Sequence, residues 1–207
     1  MRFGMIGAGT LAQAIAIHPL KAGHEVIFSN SAGPDTLAEL VGRLGPNASA
    51  GVPAQAGEAD LVILAVNWSR VRAALHALPP RPGRILIDAT NQWAEPPPAA
   101  VIDSSLEVGG SELVGSLMPD AYVIKAFDNM YGPVIAADPI TPAGRRVLFY
   151  AGDDAGAKLK FRVVVEEFGF APVDLGPLRM GRLMQVDGPL TGLHALREDV
   201  RHPTGMT

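Results

Sequence analysis

The sequence predicts a doubly wound α/β protein whose central sheet is mostly parallel. Short apolar runs alternate with longer amphipathic stretches along the 207 residues, the pattern of strands joined through helices. The runs are also continuous rather than alternating, as in Leu61-Val62-Ile63-Leu64-Ala65-Val66. That continuity requires strands covered by helices on both faces.

Taken in order, Arg2–Ile6, Glu25–Ser29, Asp60–Val66, Arg84–Asp88, Tyr122–Phe127 and Val147–Ala151 read as strands. Between them the apolar spacing predicts helices over Thr10–Ala22, Asp35–Leu44, Ser69–Leu78 and Ser111–Leu117, with a longer one over Ala155–Phe168. Pro19 is discordant: it removes a backbone donor and would kink or shorten the first helix near His18 unless neighbouring packing absorbs the cost, and the helix is kept through Ala22. Residues 79–83 and Pro96-Pro97-Pro98 read as connectors, and Gly169–Leu175 ends in a last extended segment. The expected organisation is a main unit over 1–151 and a C-terminal extension or small subdomain over 152–207, which would carry an acceptor site and dimer contacts.

Composition narrows the classes of function. A net charge of -4 without basic runs argues against nucleic acid. No apolar stretch nears the roughly 20 residues that span a bilayer, and Met1-Arg2-Phe3 opens a strand rather than a secretion signal, so a cytoplasmic protein is expected. With no Cys there is no disulfide framework, thiolate metal site or thiol nucleophile, and redox chemistry must come from a bound cofactor. The high apolar content, 48%, points to a buried interface, most simply a homodimer.

The strongest motif is Gly7-x-Gly9-x-x-Ala12, between a predicted strand and a predicted helix. Gly7 permits the tight turn, Gly9 lets backbone approach a pyrophosphate, and Ala12 lets helix and strand pack closely. Thr10 and Leu11 fall in the first helical turn, whose free N–H groups favour an anion. This is the signature of the nicotinamide-dinucleotide-binding Rossmann fold. At the end of the second strand, Ser29-Asn30-Ser31 offers no carboxylate to hold a ribose 2′-OH and repel a 2′-phosphate, which favours NADP(H) over NAD(H). The same three residues could equally cap the following helix.

The chain resembles the coenzyme F-420-dependent NADP oxidoreductases over nearly its whole length. The residues that carry the likeness are Gly7–Ala12, Ser29-Asn30-Ser31 with Gly33-Pro34-Asp35-Thr36-Leu37, Ile87-Asp88-Ala89-Thr90-Asn91, Lys125-Ala126-Phe127, and Gly176-Pro177-Leu178 through Gly188-Pro189-Leu190. The resemblance implies that Ala65, Val66 and Asn67 line the nicotinamide ribose, that Thr90 and Asn91 belong with them to the cofactor site, and that Asn91 and the Asp128–Tyr131 loop approach a second ligand. It implies coenzyme F-420 or a flavin-like molecule as hydride acceptor. The chain departs from the family at Ala32, where relatives carry an Arg, and at Asn67, where they carry Pro. Two further departures are Asp128 in place of Asn, and Val186-Asp187 in place of Pro-Gly.

Candidate catalytic residues are Asn67, Asn91 and Asp128. Hydride transfer between two rings needs orientation and exclusion of water rather than an acid–base dyad. Reduction of a small imine or carbonyl would need a proton donor, with Tyr131 and Asp128 the nearest choices. A non-catalytic NADPH sensor is the alternative outside enzymes. Lys125 could bind a carbonyl or phosphate, or pair with Asp88 or Asp128. Trp68 could stack on a ring or act as an apolar lid, and Arg179, Arg182 and Gln185 could meet an anionic acceptor. Asp153-Asp154 reads as a helix cap, Ser104-Ser105 and Ser116 lack a nucleophile elbow, and His18, His24, His76, His194 and His202 lack metal-ligand spacing, so no metal is expected.

Overall fold

The computed structural model describes residues 1–95, 101–103 and 108–198. Pro96-Pro97-Pro98, Ser104-Ser105 and His202 lie outside the described residues.

The chain builds β1 (Arg2–Ile6), α1 (Thr10–Lys21), β2 (Glu25–Ser29), α2 (Ala38–Leu44), β3 (Ala48–Ala50), α3 (Pro53–Ala56), β4 (Leu61–Leu64), α4 (Val71–His76) and β5 (Arg84–Asp88). It continues through β6 (Trp93–Glu95), β7 (Val101–Ile102), α5 (Gly110–Leu117), β8 (Ala121–Ala126), α6 (Gly132–Ala136), β9 (Ile140–Thr141), β10 (Gly144–Gly152), α7 (Ala155–Glu167), β11 (Ala171–Asp174) and β12 (Leu196–Arg197). The main sheet runs β11-β10-β8-β5-β4-β1-β2-β3, with β9 and β12 pairing to β10. From β3 to β8 every pairing is parallel. β10 runs antiparallel to β8, and β11 parallel to β10.

Two apolar layers explain the continuous runs. Leu61 and Ile63 of β4 join Phe3, Met5, Ile87 and the buried faces of α1 and α7 on one side. Val62 and Leu64 join Ile6, Leu86 and the buried faces of α4 and α5 on the other. Successive side chains of one strand enter opposite layers. At Gly4 β1 and α3 approach backbone to backbone, because a Cβ there would stand 1.9 Å from the Ala56 carbonyl oxygen. Phe161, Val164, Val165 and Phe170 sit in the same layer as β1. Residues of the C-terminal extension thus share the main core, and the expected boundary at 151/152 falls inside β10.

α1 runs to Lys21, within one residue of the predicted end, and Pro19 does not shorten it. Pro19 stands in the last turn, where its missing N–H costs a single hydrogen bond and its buried ring packs in the core. The turn is closed by Ala22 donating to His18 O and His24 to Pro19 O. The buried His18 ring places Nε2 2.5 Å from Ile135 O and lies edge-on to Phe170. Two expected helices begin later than predicted: 3-10 turns at Pro34–Leu37 and Trp68–Arg70 precede α2 and α4.

Candidate functional site

The carboxyl ends of β1, β2, β4 and β5 meet at the glycine turn, where ligands of open α/β sheets bind. Gly7 has φ +112°, and a Cβ on it would lie 2.2 Å from Ala65 O, so no other residue fits. Its N–H donates to Ser29 O, fastening the turn to β2. Gly9, the N-cap of the 12-residue α1, has φ −73° and ψ −176°, open to any residue, and a Cβ there would meet nothing within 4 Å. No side chain caps this helix, and Ala12 is fully buried against the sheet.

Two cavities flank Gly9. One, about 360 Å3, extends over the end of β2 and is lined by Ser29, Asn30, Ser31, Pro53 and Arg70. The other, about 310 Å3, extends toward β5 and is lined by Thr10, Leu11, Trp68, Thr90, Asn91 and Trp93. Both include Gly9, Ala65, Val66 and Asn67 in their walls. Together they form a trough that crosses the glycine turn. A larger cavity, about 750 Å3, lies between α4 and Leu117–Ala121 at the amino ends of β5 and β8. It is at the wrong end of the sheet and lacks a glycine turn.

The predicted residues divide into wall and support. Asn67 is exposed where the cavities meet. Asn91 lines the second cavity, but its amide is engaged: Nδ2 donates to Asp128 O at 2.9 Å and Oδ1 accepts from Val186 N at 3.3 Å. It ties the loop after β8 and the C-terminal segment to β5. Ser29 is buried and donates to Met5 O at 2.9 Å. Asn30 Oδ1 accepts from the N–H groups of Ala32 and Gly33, closing the turn. Of these three polar residues only the exposed Ser31 keeps a free hydroxyl among the described residues.

Asp128 lines neither cavity. Lys125 and Asp88 are register neighbours on β8 and β5, and the Lys125 ammonium lies 3.4 Å from Asp88 Oδ2 and 3.2 Å from Asp128 Oδ2, with all three side chains fully buried. Lys125 also donates to Thr90 O. Asp88 is further held by Thr90 and Ser111 hydroxyls at 2.6 and 2.5 Å. Among the described residues Asp128 Oδ1 has no hydrogen-bond partner, and Oδ2 meets only the Lys125 ammonium. Burial, opposed by Lys125 and reinforced by Asp88, pushes the Asp128 carboxyl up to about 6. Burial pulls the Lys125 ammonium down, but the two carboxylates outweigh it and hold it above its ordinary value. One cation thus faces two carboxyls, and Asp128 keeps its proton to a higher pH than an ordinary aspartate does. The chain reaches Asp128 through Phe127, a buried residue with φ +68°.

Elsewhere, Tyr131 is 70% exposed and lines neither cavity. Trp68 Nε1 donates to Asp103 at 3.0 Å, fixing the indole as a cavity wall. Arg182 pairs with Glu112, Gln185 is buried, and Asp154 caps α7 through Ala157 N. The sequence reading missed Arg70, Ala73, Ala74 and Ala77 in the first cavity. Their spacing, one face of a helix with three small residues, was the available signal. Among the described residues no helix is long and apolar enough to cross a membrane.

A parallel sheet, a glycine turn opening α1 and a trough across it define a Rossmann-fold protein of the nicotinamide-dependent oxidoreductase class. Residues 2–92 match the family described as NADP oxidoreductase coenzyme F420-dependent. It is 34% identical to a hypothetical protein from Sinorhizobium meliloti of solved structure, covering 96% of each chain with a TM-score of 0.88. A structure from an Arthrobacter species, described as a candidate F420-dependent NADP reductase, superposes with a TM-score of 0.73 at 23% identity over 86% of each chain. Metalloreductase STEAP3 of Rattus norvegicus is 26% identical over 182 residues, 87% of this chain. The chain spans only 35% of that relative's length.

Proposed function

We propose that this protein binds NADP(H) across the Gly7–Ala12 turn and passes hydride between the nicotinamide and a deazaflavin, coenzyme F-420, or a flavin-like acceptor. Gly9 and the uncapped N–H groups of α1 hold the pyrophosphate, and the adenosine half occupies the cavity beside Ser31 and Arg70. Ala65, Val66 and Asn67 support the nicotinamide ribose. When bound, the cofactor supplies or takes up a hydride.

The observation that carries the choice of acceptor is the lining of the second cavity. Among the described residues in its wall, none has a titratable side chain. Such a wall suits transfer between two rings, where the protein orients the partners and excludes water. It suits poorly the reduction of a small imine or carbonyl, which takes a proton as well as a hydride. The two nearest donors are both elsewhere, Asp128 in the core and Tyr131 in solvent. Trp68 and Trp93, the only tryptophans in the chain, offer apolar ring surface in this wall.

The test is absorbance-monitored oxidation of NADPH and NADH with coenzyme F-420, with FMN, with a simple cyclic imine and without acceptor. Oxidation of NADPH with the deazaflavin or flavin is expected. Turnover with the imine alone contradicts the acceptor assignment, and binding without turnover by any acceptor supports a sensor instead.

A further inference from the structure

We propose that Arg70 supplies the positive charge that holds the 2′-phosphate of NADP(H), replacing the Arg that relatives carry at the position of Ala32. The inference rests on the NADP(H) reading above and assigns its selectivity to a residue outside the loop after β2.

The loop after β2 cannot do this alone. Its length from Ser29 to Gly33 contains no cation. The Ser29 hydroxyl is spent on Met5 O, and the Asn30 carboxamide on Thr36, Ala32 and Gly33. That leaves the Ser31 hydroxyl, a neutral donor, against a dianionic phosphate. Across the same cavity stands Arg70, the only charged side chain among the described residues lining either half of the trough. It is exposed and forms no ion pair among the described residues, so its guanidinium is free for a ligand.

Its placement is fixed by backbone. The Arg70 N–H donates to Asn67 O at 2.8 Å, which closes the 3-10 turn Trp68–Arg70 and sets the residue at the entrance to α4. One and two helical turns further on, Ala73, Ala74 and Ala77 continue the same wall with no bulk, facing Pro53. The cavity is thus a largely apolar slot suited to a flat base, with Arg70 and Ser31 both in its wall. A guanidinium presents a planar fork of donors that matches a phosphate in two parallel hydrogen bonds.

The discriminating experiment is calorimetric titration of NADPH, NADH, 2′,5′-ADP and 5′-ADP into the wild type, Arg70→Ala, and the double variant Arg70→Ala with Ala32→Arg. Loss of a charge-assisted contact to a phosphate is expected to weaken NADPH and 2′,5′-ADP by about tenfold or more. NADH and 5′-ADP should change by less than about twofold, within the effect of a surface substitution. Ala32→Arg should restore NADPH affinity in the double variant. Equal losses for all four ligands assign Arg70 to the base or pyrophosphate and overturn the proposal, as does unchanged NADPH affinity. A wild type that binds NADH and 5′-ADP but does not favour their 2′-phosphorylated forms also overturns it, while leaving the dinucleotide site standing. A wild type that binds none of the four refutes the NADP(H) reading and this assignment together. Melting curves of the variants should match the wild type, since Arg70 is exposed and unpaired.

Discussion

Replacing Asp128 with Asn removes the second of two carboxyls that face a single buried ammonium. Asp128 is raised from 3.8 to about 6, first by burial. A displacement of that size disfavours the ionised form by about 3 kcal/mol. The folded-state value lies above the unfolded one, so its contribution to stability is fully present below 3.8 and is lost as the pH rises through about 6. Above that range the native protein carries the whole penalty. Asparagine has nearly the same shape, does not titrate, and leaves Lys125 paired with Asp88. The stability advantage of Asp128→Asn should therefore grow by about 1.5 kcal/mol between about pH 5 and about pH 8. Urea unfolding of both proteins at the two pH values measures it, with contributions from other groups cancelling in the difference. An advantage independent of pH, or one that shrinks toward high pH, refutes the reasoning. Asn is also what the family resemblance leads one to expect at this position.

Other consequences are separately testable. His18 is lowered below 6.5, first by burial, despite its contact with Ile135 O, so its contribution is complete above 6.5 and is lost as pH falls. In His18→Gln the acid-side slope of stability should flatten, as read by thermal melting across that range. Asn91→Ala removes two hydrogen bonds that join β5 to Asp128 O and Val186 N. It should cost about 2 kcal/mol in urea unfolding and speed proteolysis of the segment after Leu183. Trp68→Ala opens the wall of the second cavity alone, so the KM for the acceptor should rise by about tenfold while NADPH affinity in direct titration changes little.

The parts of the fold legible in the sequence are those with a continuous apolar run. β1, β2 and β5 begin and end where predicted because each has a continuous apolar interior bounded by polar residues, Arg2, Glu25 and Ser29, and Arg84 and Asp88. β3, Ala-Ser-Ala at the sheet edge, carries no such run, and its pairing with β2 supplies what its composition does not. The antiparallel entry of β10 beside β8 is likewise a matter of connection rather than local residues. At the site, Gly7 was readable because it answers a local constraint, a positive φ and the close approach of Ala65 O. The ties of Asn91 to Asp128 and Val186, and of Lys125 to Asp88, join residues far apart in sequence, and only strand register brings them together. Arg70 lay within reach, in step with three alanines, but its spacing alone does not say what the small face leaves room for.

The central claim is that a dinucleotide lies across Gly9, and Gly9→Val tests it most directly. The backbone there accepts any residue and an added Cβ meets nothing within 4 Å, so the variant should melt with the wild type. Its side chain would fill the space between the two cavities. Titration with NADPH and with NADH should show binding of both abolished while the fold is intact. Undiminished binding of either dinucleotide to a folded Gly9→Val protein would contradict the account.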